Sequence, residues 1–303
     1  MTISVCIATY KRLERLAAVM NDLTKQTLPA GEIIVVDNDS EGSAKTVVDE
    51  FVRNNTSNML VRYEIQPLKN ISLTRNRTVV LSSGEWLAFI DDDERAPPYW
   101  LERLVSVTSK HGADGVLGPV VPVLPEHASL WLKRGHFYDF PRMSTGTEVP
   151  RNRLRFGNVL LRASLVREIP GPFDPAYGIT GGEDGDMLAK MAINGAKIIW
   201  CDEANVDEPV EQSRLSLQWL WRRALRGGQD FARHTLAGRY GKVSSLGRLK
   251  FIVQSSIQML VAAMMTMLVW PFGRHHAAYW LLKLSANLGK LSFFLGWHYM
   301  EYA

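Results

Sequence analysis

Cysteine is nearly absent. The chain has only Cys6 and Cys201, each inside an apolar run and neither in a C-x-x-C pair. A disulfide framework and a thiolate metal site are therefore not expected, and two buried free thiols in a reducing compartment are. Other signatures are missing too. Neither GxxxxGK[ST] nor GxGxxG occurs, so neither a P-loop ATPase nor a Rossmann dehydrogenase is supported. There is no GxSxG elbow and no HExxH helix. His127, His136 and His234 lack ligand spacing. The opening MTISVCIATYKR runs apolar first and basic second. A secretory leader has the opposite order, so the N-terminal part is expected to stay in the cytoplasm. No internal repeat or low-complexity tract is evident.

What is present is a core. Of 303 residues 46% are hydrophobic, enough for one large α/β domain plus an appendage. ISVCIATY (3–10) and EIIVVDND (32–39) are short, nearly continuous apolar runs, the pattern of strands buried on both faces of a parallel sheet. VRYEI (61–65), EWLAFI (85–90) and ADGVLGPVV (113–121) extend the series. Leu13, Leu16, Ala17, Met20 and Leu23 recur at helical spacing, as do Ala44, Val47, Val48 and Phe51. Residues 72–83 and a segment from Pro98 also read as helices. The alternation predicts βαβ units and a mostly parallel sheet. FGNVLLRASLV (156–166) is strand-like, GPFDPAYGITGGEDGD (171–186) reads as a glycine-rich acidic loop, and 186–201 as helix, turn and strand.

The C-terminal part differs. Between Glu211 and Lys250 lie nine arginines and lysines against only Glu211 and Asp230. Such a block suits a phosphate-bearing or anionic-lipid partner, or a solvated surface. Residues 251–273 carry no charge and are long enough to span a bilayer, although Gln254, Ser255, Ser256 and Gln258 interrupt them. Residues 277–303 mix Lys283 and Lys290 with many aromatics, like an interfacial helix or the second arm of a hairpin.

In parallel α/β sheets, ligands bind beyond the carboxyl ends of the strands. Asp37 and Asp39 fall there, as do Asp91, Asp92 and Asp93. Glu183 and Asp184 follow in the glycine-rich loop. One aspartate after a strand is usually a turn residue or cap; three groups at one edge point to a site. Clustered carboxylates are hard oxygen ligands suited to Mg²⁺ or Mn²⁺, which bridge to substrate phosphates. A cation there would neutralise a diphosphate leaving group.

VCIATYKRLERL, EIIVVDNDS, NISLTRNRTVV, GEWLAFIDDDE and GITGGEDGDM, in this order across the first two-thirds of the chain, resemble inverting family 2 glycosyltransferases with the GT-A fold. VLGPV, FGNVLLR and WCDEANVDEPV are most similar to bacterial succinoglycan-type exopolysaccharide glucosyltransferases. The division expected is a GT-A-type catalytic domain over 1–210, a basic amphipathic helical linker over 211–250 and an apolar helical membrane-associated segment over 251–303. The resemblance implies that Thr9 and Tyr10 line a uridine pocket and that Asp37 accepts from uracil. Arg75 and Asn76 would lie near the nucleotide. Asp91 would face the ribose and Asp93 the metal, with Asp92 supporting the turn. Asp184 would be the base that deprotonates the acceptor hydroxyl, and Glu183 would bind the acceptor or orient the loop. Arg222, Arg223 and Arg226 could bind diphosphate, that of the donor or of a lipid-linked acceptor. Processive relatives carry Q-x-x-R-W. Here QWLWRRALRGGQ has no R-W pair, so single addition is expected.

The resulting expectation is a metal-dependent enzyme at the cytoplasmic face of the inner membrane. It would move hexose, with glucose the expected sugar, from a UDP-sugar to a polyprenyl-diphosphate-linked oligosaccharide, with no nucleic-acid partner. A sugar nucleotidyltransferase would typically show a glycine-rich basic loop after the first strand, which ATYKRLERL lacks. A non-catalytic component of a polysaccharide assembly complex would not need Asp91, Asp93 and Asp184. A paired-carboxylate glycosidase would need neither the triple aspartate nor a cation.

Overall fold

A computed structural model describes residues 1–55 and 59–300. The chain divides into two compact units, Met1–Val121 with Phe140–Glu208, and Pro122–Asp139 with Pro209 onward.

The first unit is a doubly wound sheet. β1 (Ile3–Thr9), α1 (Leu13–Leu23), β2 (Glu32–Asp37), α2 (Lys45–Asn54), β3 (Leu60–Ile65), α3 (Ile71–Leu81), β4 (Trp86–Phe89) and α4 (Trp100–His111) alternate as the apolar pattern predicts. The run at 113–121 is not one strand. It breaks at Gly118 and Pro119 into β5 (Gly115–Leu117) and β6 (Val120–Val123), because proline cannot donate to a ladder. After α5 (Leu130–Gly135) come β7 (Val159–Arg162), α6 (Ala163–Arg167), α7 (Glu183–Ile193), β8 (Ile198–Trp200) and β9 (Val206–Pro209).

The seven-stranded sheet has the order β3-β2-β1-β4-β7-β5-β8. β7 runs antiparallel to both β4 and β5, and the other pairs are parallel. Side chains alternate between two cores. Val5, Ile7, Ile33 and Val35 pack with α1 and α4 residues on one face. Cys6, Leu87, Phe89 and Leu161 pack with α7 residues on the other. This is why the strands read as continuous apolar runs. β1 lies between β2 and β4, so the ends of these three strands share one edge of the sheet.

The second unit is helical: α5, α8 (Leu217–Leu236), α9 (Ser245–Val269) and α10 (Arg274–Ser292). Ser216 caps α8 through Trp219 N–H, and Ser244 caps α9 through Gly247 N–H. The segment expected as a basic helical linker is helical over Leu217–Leu236. α10 folds back along both α8 and α9, so 211–250 and 251–300 form one body, to which 122–139 also belongs.

Candidate active site

The site lies in the first unit and is built from the ends of β1 and β4 and the starts of α1 and α7. Pairing of β1 with β4 brings Thr9 beside the aspartate run. Thr9 Oγ1 donates to Asp92 Oδ2 at 2.8 Å. Arg12, at the entry to α1, donates to Asp92 Oδ1 at 2.8 Å and to Asp93 Oδ2 at 3.0 Å. Arg15, one turn later, stands 3.6 Å from Asp93. Asp92 thus ties two strand ends together. Burial, reinforced by the Asp93 charge, raises its pKa to about 6 against the pull of Arg12 and Thr9.

Arg75 on α3 is the bridge. Its guanidinium donates to Glu183 Oε1 at 2.6 Å and to Asp91 Oδ1 at 3.0 Å. It lies 4.6 Å from the ring centre of Phe156, which packs with Phe89 and Phe173. One buried cation, stacked on an aromatic platform, joins the β4 end to the α7 start. Gly181 and Gly182 have φ of +81° and +93°, a conformation open to glycine at little cost. They turn the chain into α7. Glu183 and Asp184 therefore stand in the first turn of a helix, not in the loop expected from sequence, and helix N-termini favour carboxylates.

Glu183 is 2% exposed, and its Oε2 is buried with no hydrogen-bond partner. Burial lifts its pKa to about 7, with Arg75 opposing and Asp184 adding to the shift. Glu94, beneath the aspartates, accepts Asp91 N–H at 3.1 Å. Burial and the charges of Asp91 and Asp93 hold its carboxyl well above the usual range. Asp91 is raised by desolvation, against Arg75, with Asp93 and Asp184 adding to the rise. Asp184 differs from these: half-buried, it makes no ion pair among the described residues, and its carboxylate accepts the Gly185 N–H at 2.7 Å.

Several of the residues expected near a nucleotide make hydrogen bonds within the protein. Asp37 is fully buried. It accepts from the N–H groups of Asp39 and Ala44 and from the Tyr63 hydroxyl. Held by these donors, its carboxylate closes the loop after β2. Thr9, 3% exposed, is turned to Asp92. Asn76 exchanges two hydrogen bonds with the backbone of Phe173, at 2.7 and 3.0 Å, and clamps the loop before α7. Tyr10 is exposed, with Lys11 and Lys69 within 5.4 Å of its ring centre. Arg222, Arg223 and Arg226 lie on α8 in the second unit. Arg12, Arg15 and Glu94 were not anticipated. The strand-end rule that picks out the aspartates covers YKRLER equally, and Glu94 adjoins the run.

Six carboxyl groups (Asp91, Asp92, Asp93, Glu94, Glu183, Asp184) meet three guanidinium groups (Arg12, Arg15, Arg75). Such a cluster calls for protons or a further cation. Among the described residues no three His, Cys, Asp or Glu side chains converge to hold a metal ion. The donor set fits a hard cation that takes water and substrate oxygens for most of its ligands, and not an all-protein cage.

The fold is that of GT-A glycosyltransferases, with this cluster at the ligand edge of its sheet. The Glycosyl transferase family 2 domain matches residues 4–166, and the chain belongs to that family. It is 35% identical over 237 residues to the succinoglycan biosynthesis protein ExoM of Rhizobium meliloti, covering 76% of this chain and 74% of the relative. It is 24% identical to the glucosyl-dolichyl phosphate glucuronosyltransferase of Haloferax volcanii, over 73% of each chain. Among solved structures, the mannosyltransferase PcManGT of Pyrobaculum calidifontis, in complex with GDP-Man and Mn²⁺, superposes with a TM-score of 0.65 at 15% identity. That match covers 95% of this chain and 86% of the other.

Proposed function

We propose that this glycosyltransferase moves a hexose from a nucleotide sugar to a lipid-diphosphate-linked oligosaccharide, by single displacement with inversion, during exopolysaccharide assembly. UDP-glucose is the proposed donor. The carrying observation is the Arg75 bridge from Asp91 to Glu183, whose neighbour Asp184, half-buried and without an ion pair among the described residues, adds its charge to the field at Asp91.

Asp184 takes the proton from the acceptor hydroxyl as that oxygen attacks the anomeric carbon. The bond from that carbon to the donor diphosphate breaks, and the nucleoside diphosphate leaves from the opposite side. One displacement needs no protein nucleophile. Asp93 would hold a divalent cation, Mg²⁺ or Mn²⁺, with Asp91 on the ribose side. When bound, that cation supplies positive charge to the departing diphosphate. The Mn²⁺ and GDP-Man in the Pyrobaculum neighbour support this reading. Arg12 and Arg15 hold Asp92 and Asp93 in place before the donor arrives. Glu183 orients the first turn of α7, so that Asp184 faces the acceptor.

ExoM, a succinoglycan biosynthesis protein, supports the polysaccharide setting. The name of the Haloferax relative includes a dolichyl phosphate, which supports a lipid-linked acceptor. The basic α8 and apolar α9 suit work at the cytoplasmic face of a membrane, where Arg222, Arg223 and Arg226 could meet an acceptor diphosphate.

The test incubates the full chain with radiolabelled nucleotide sugars, Mg²⁺ or Mn²⁺, and lipid-diphosphate oligosaccharides of increasing length. Transfer of one glucose from UDP-glucose, lost on chelation, is expected. Pyrophosphate release from a nucleoside triphosphate, or no transfer to any lipid-linked acceptor, would overturn the reading.

A further inference from the structure

We propose that α9 lies in the plane of the membrane, with one face in the hydrocarbon of a single leaflet, and does not cross the bilayer. This rests on the lipid-surface reading above and decides its geometry. By length and composition α9 with the following turn could span: an 18-residue window within Ser245–Phe272 has a mean hydropathy of 1.7. At 1.5 Å per residue, α9 is about 38 Å long, more than a hydrocarbon core.

The surface of α9 is inverted relative to a soluble helix. Leu246, Val253, Ile257, Leu260, Met264 and Leu268 recur at helical spacing on one face and are 48–75% exposed. The buried residues of α9 are Ser255 and Ala262. The α8–α10 contact is built the same way. A Cβ on Gly228 would stand 1.9 Å from the Ala286 carbonyl oxygen, and one on Gly289 would stand 2.0 Å from that of Leu225. Ser285 Oγ donates to the Trp221 carbonyl at 2.7 Å, and Gln229 Nε2 donates to Ser292 Oγ at 2.9 Å. Small residues and interhelical hydrogen bonds inside, with large apolar side chains outside, is how helices pack in lipid. Charge agrees with an anionic leaflet. Residues 231–300 contain no aspartate or glutamate, while Lys242, Arg248 and Lys250 are exposed around the start of α9. Trp270 at its far end is 65% exposed, as interfacial tryptophans are.

Crossing is opposed by α10. The turn after α9 sends α10 back antiparallel, so that Phe294 ends 6.2 Å from Phe251 at the other end of the pair. Lys283, exposed, sits midway along that return. A spanning α9 would carry Lys283 to mid-membrane, which is unfavourable. An in-plane pair leaves it at the water side while the α9 face stays in lipid.

The experiment uses the full chain with sealed phosphatidylglycerol–phosphatidylcholine vesicles. Ile257, Met264 and Leu268 are each changed to cysteine and labelled with an environment-sensitive fluorophore; Cys6 and Cys201 are buried. Flotation establishes vesicle binding, and lipids quenching at defined depths locate each label. One common shallow depth, with label at Lys283→Cys quenched by an aqueous agent outside, is expected. Flotation with a depth gradient along α9 overturns the in-plane geometry and leaves the lipid-surface reading intact. No flotation, with a dimer in solution covering α9, overturns both. Met264→Glu should lower vesicle binding roughly tenfold with donor hydrolysis in detergent unchanged; equal binding would also refute the proposal.

Discussion

The two units of this chain place their polar groups in opposite ways. The first has large apolar side chains inside and gathers its densest charge at one edge of its sheet, where six carboxyl groups meet three arginines. In the second, the α8–α10 contact and the buried side of α9 hold glycine, alanine, serine and glutamine while α9 turns leucine, isoleucine and methionine outward, and Leu132, Tyr138, Val210 and Leu220 form a separate small apolar cluster. One organisation suits water around the body and an ionic ligand at one edge. The other suits a partner that is itself apolar. Burial alone does not define a core; what surrounds the molecule decides which residues go inside.

The sharpest way to separate the units is Asp184→Asn. Transfer should fall by about a thousandfold, within the range for loss of a positioned base, while donor and vesicle binding persist. Full transfer by this variant would remove Asp184 from its proposed role. Arg75→Ala tests whether the charged edge holds the first unit together. It leaves Glu183 buried and unpaired, and denaturant titration should register a loss of about 3–5 kcal/mol. Arg75→Lys should recover only part, because it lacks the two-pronged geometry and the stacking on Phe156. Gly228→Val tests the second unit. The added carbons have no space against Ala286, and overpacking should destabilise by about 2 kcal/mol. Vesicle flotation should weaken accordingly.

The smallest effect is a slope. Glu183 has an ordinary pKa of 4.5 and a folded one of about 7. Between these values the folded chain binds more protons than the unfolded chain. The associated stability is therefore fully present below pH 4.5 and is lost as pH rises through about 7. Glu183→Gln should flatten the fall of Tm with pH across that window. An unchanged profile would show that the group does not titrate there.

The βαβ order was legible because strands buried on both faces must be apolar throughout. The aspartate run stood out because its charges follow a buried strand directly. Arg12 and Arg15 were not legible as its partners, since they lie about eighty residues from it in sequence and meet it only because β1 pairs with β4. The partners of Asp37 were hidden for a related reason: the loop after β2 folds so that its oxygens meet the N–H groups of Asp39 and Ala44 and the Tyr63 hydroxyl. In the second unit the apolar run was plain, but not which face it exposes, because that depends on how α10 folds back.

Composition and periodicity by themselves determined the alternating α/β unit, the acidic strand end and the apolar helical tail, because each follows from local burial and spacing. Only the tertiary structure decided which charges face one another, that Arg75 joins Asp91 to Glu183, and that α9 turns its large side chains outward. Those outcomes depend on contacts between residues far apart in the chain, and no local pattern encodes them.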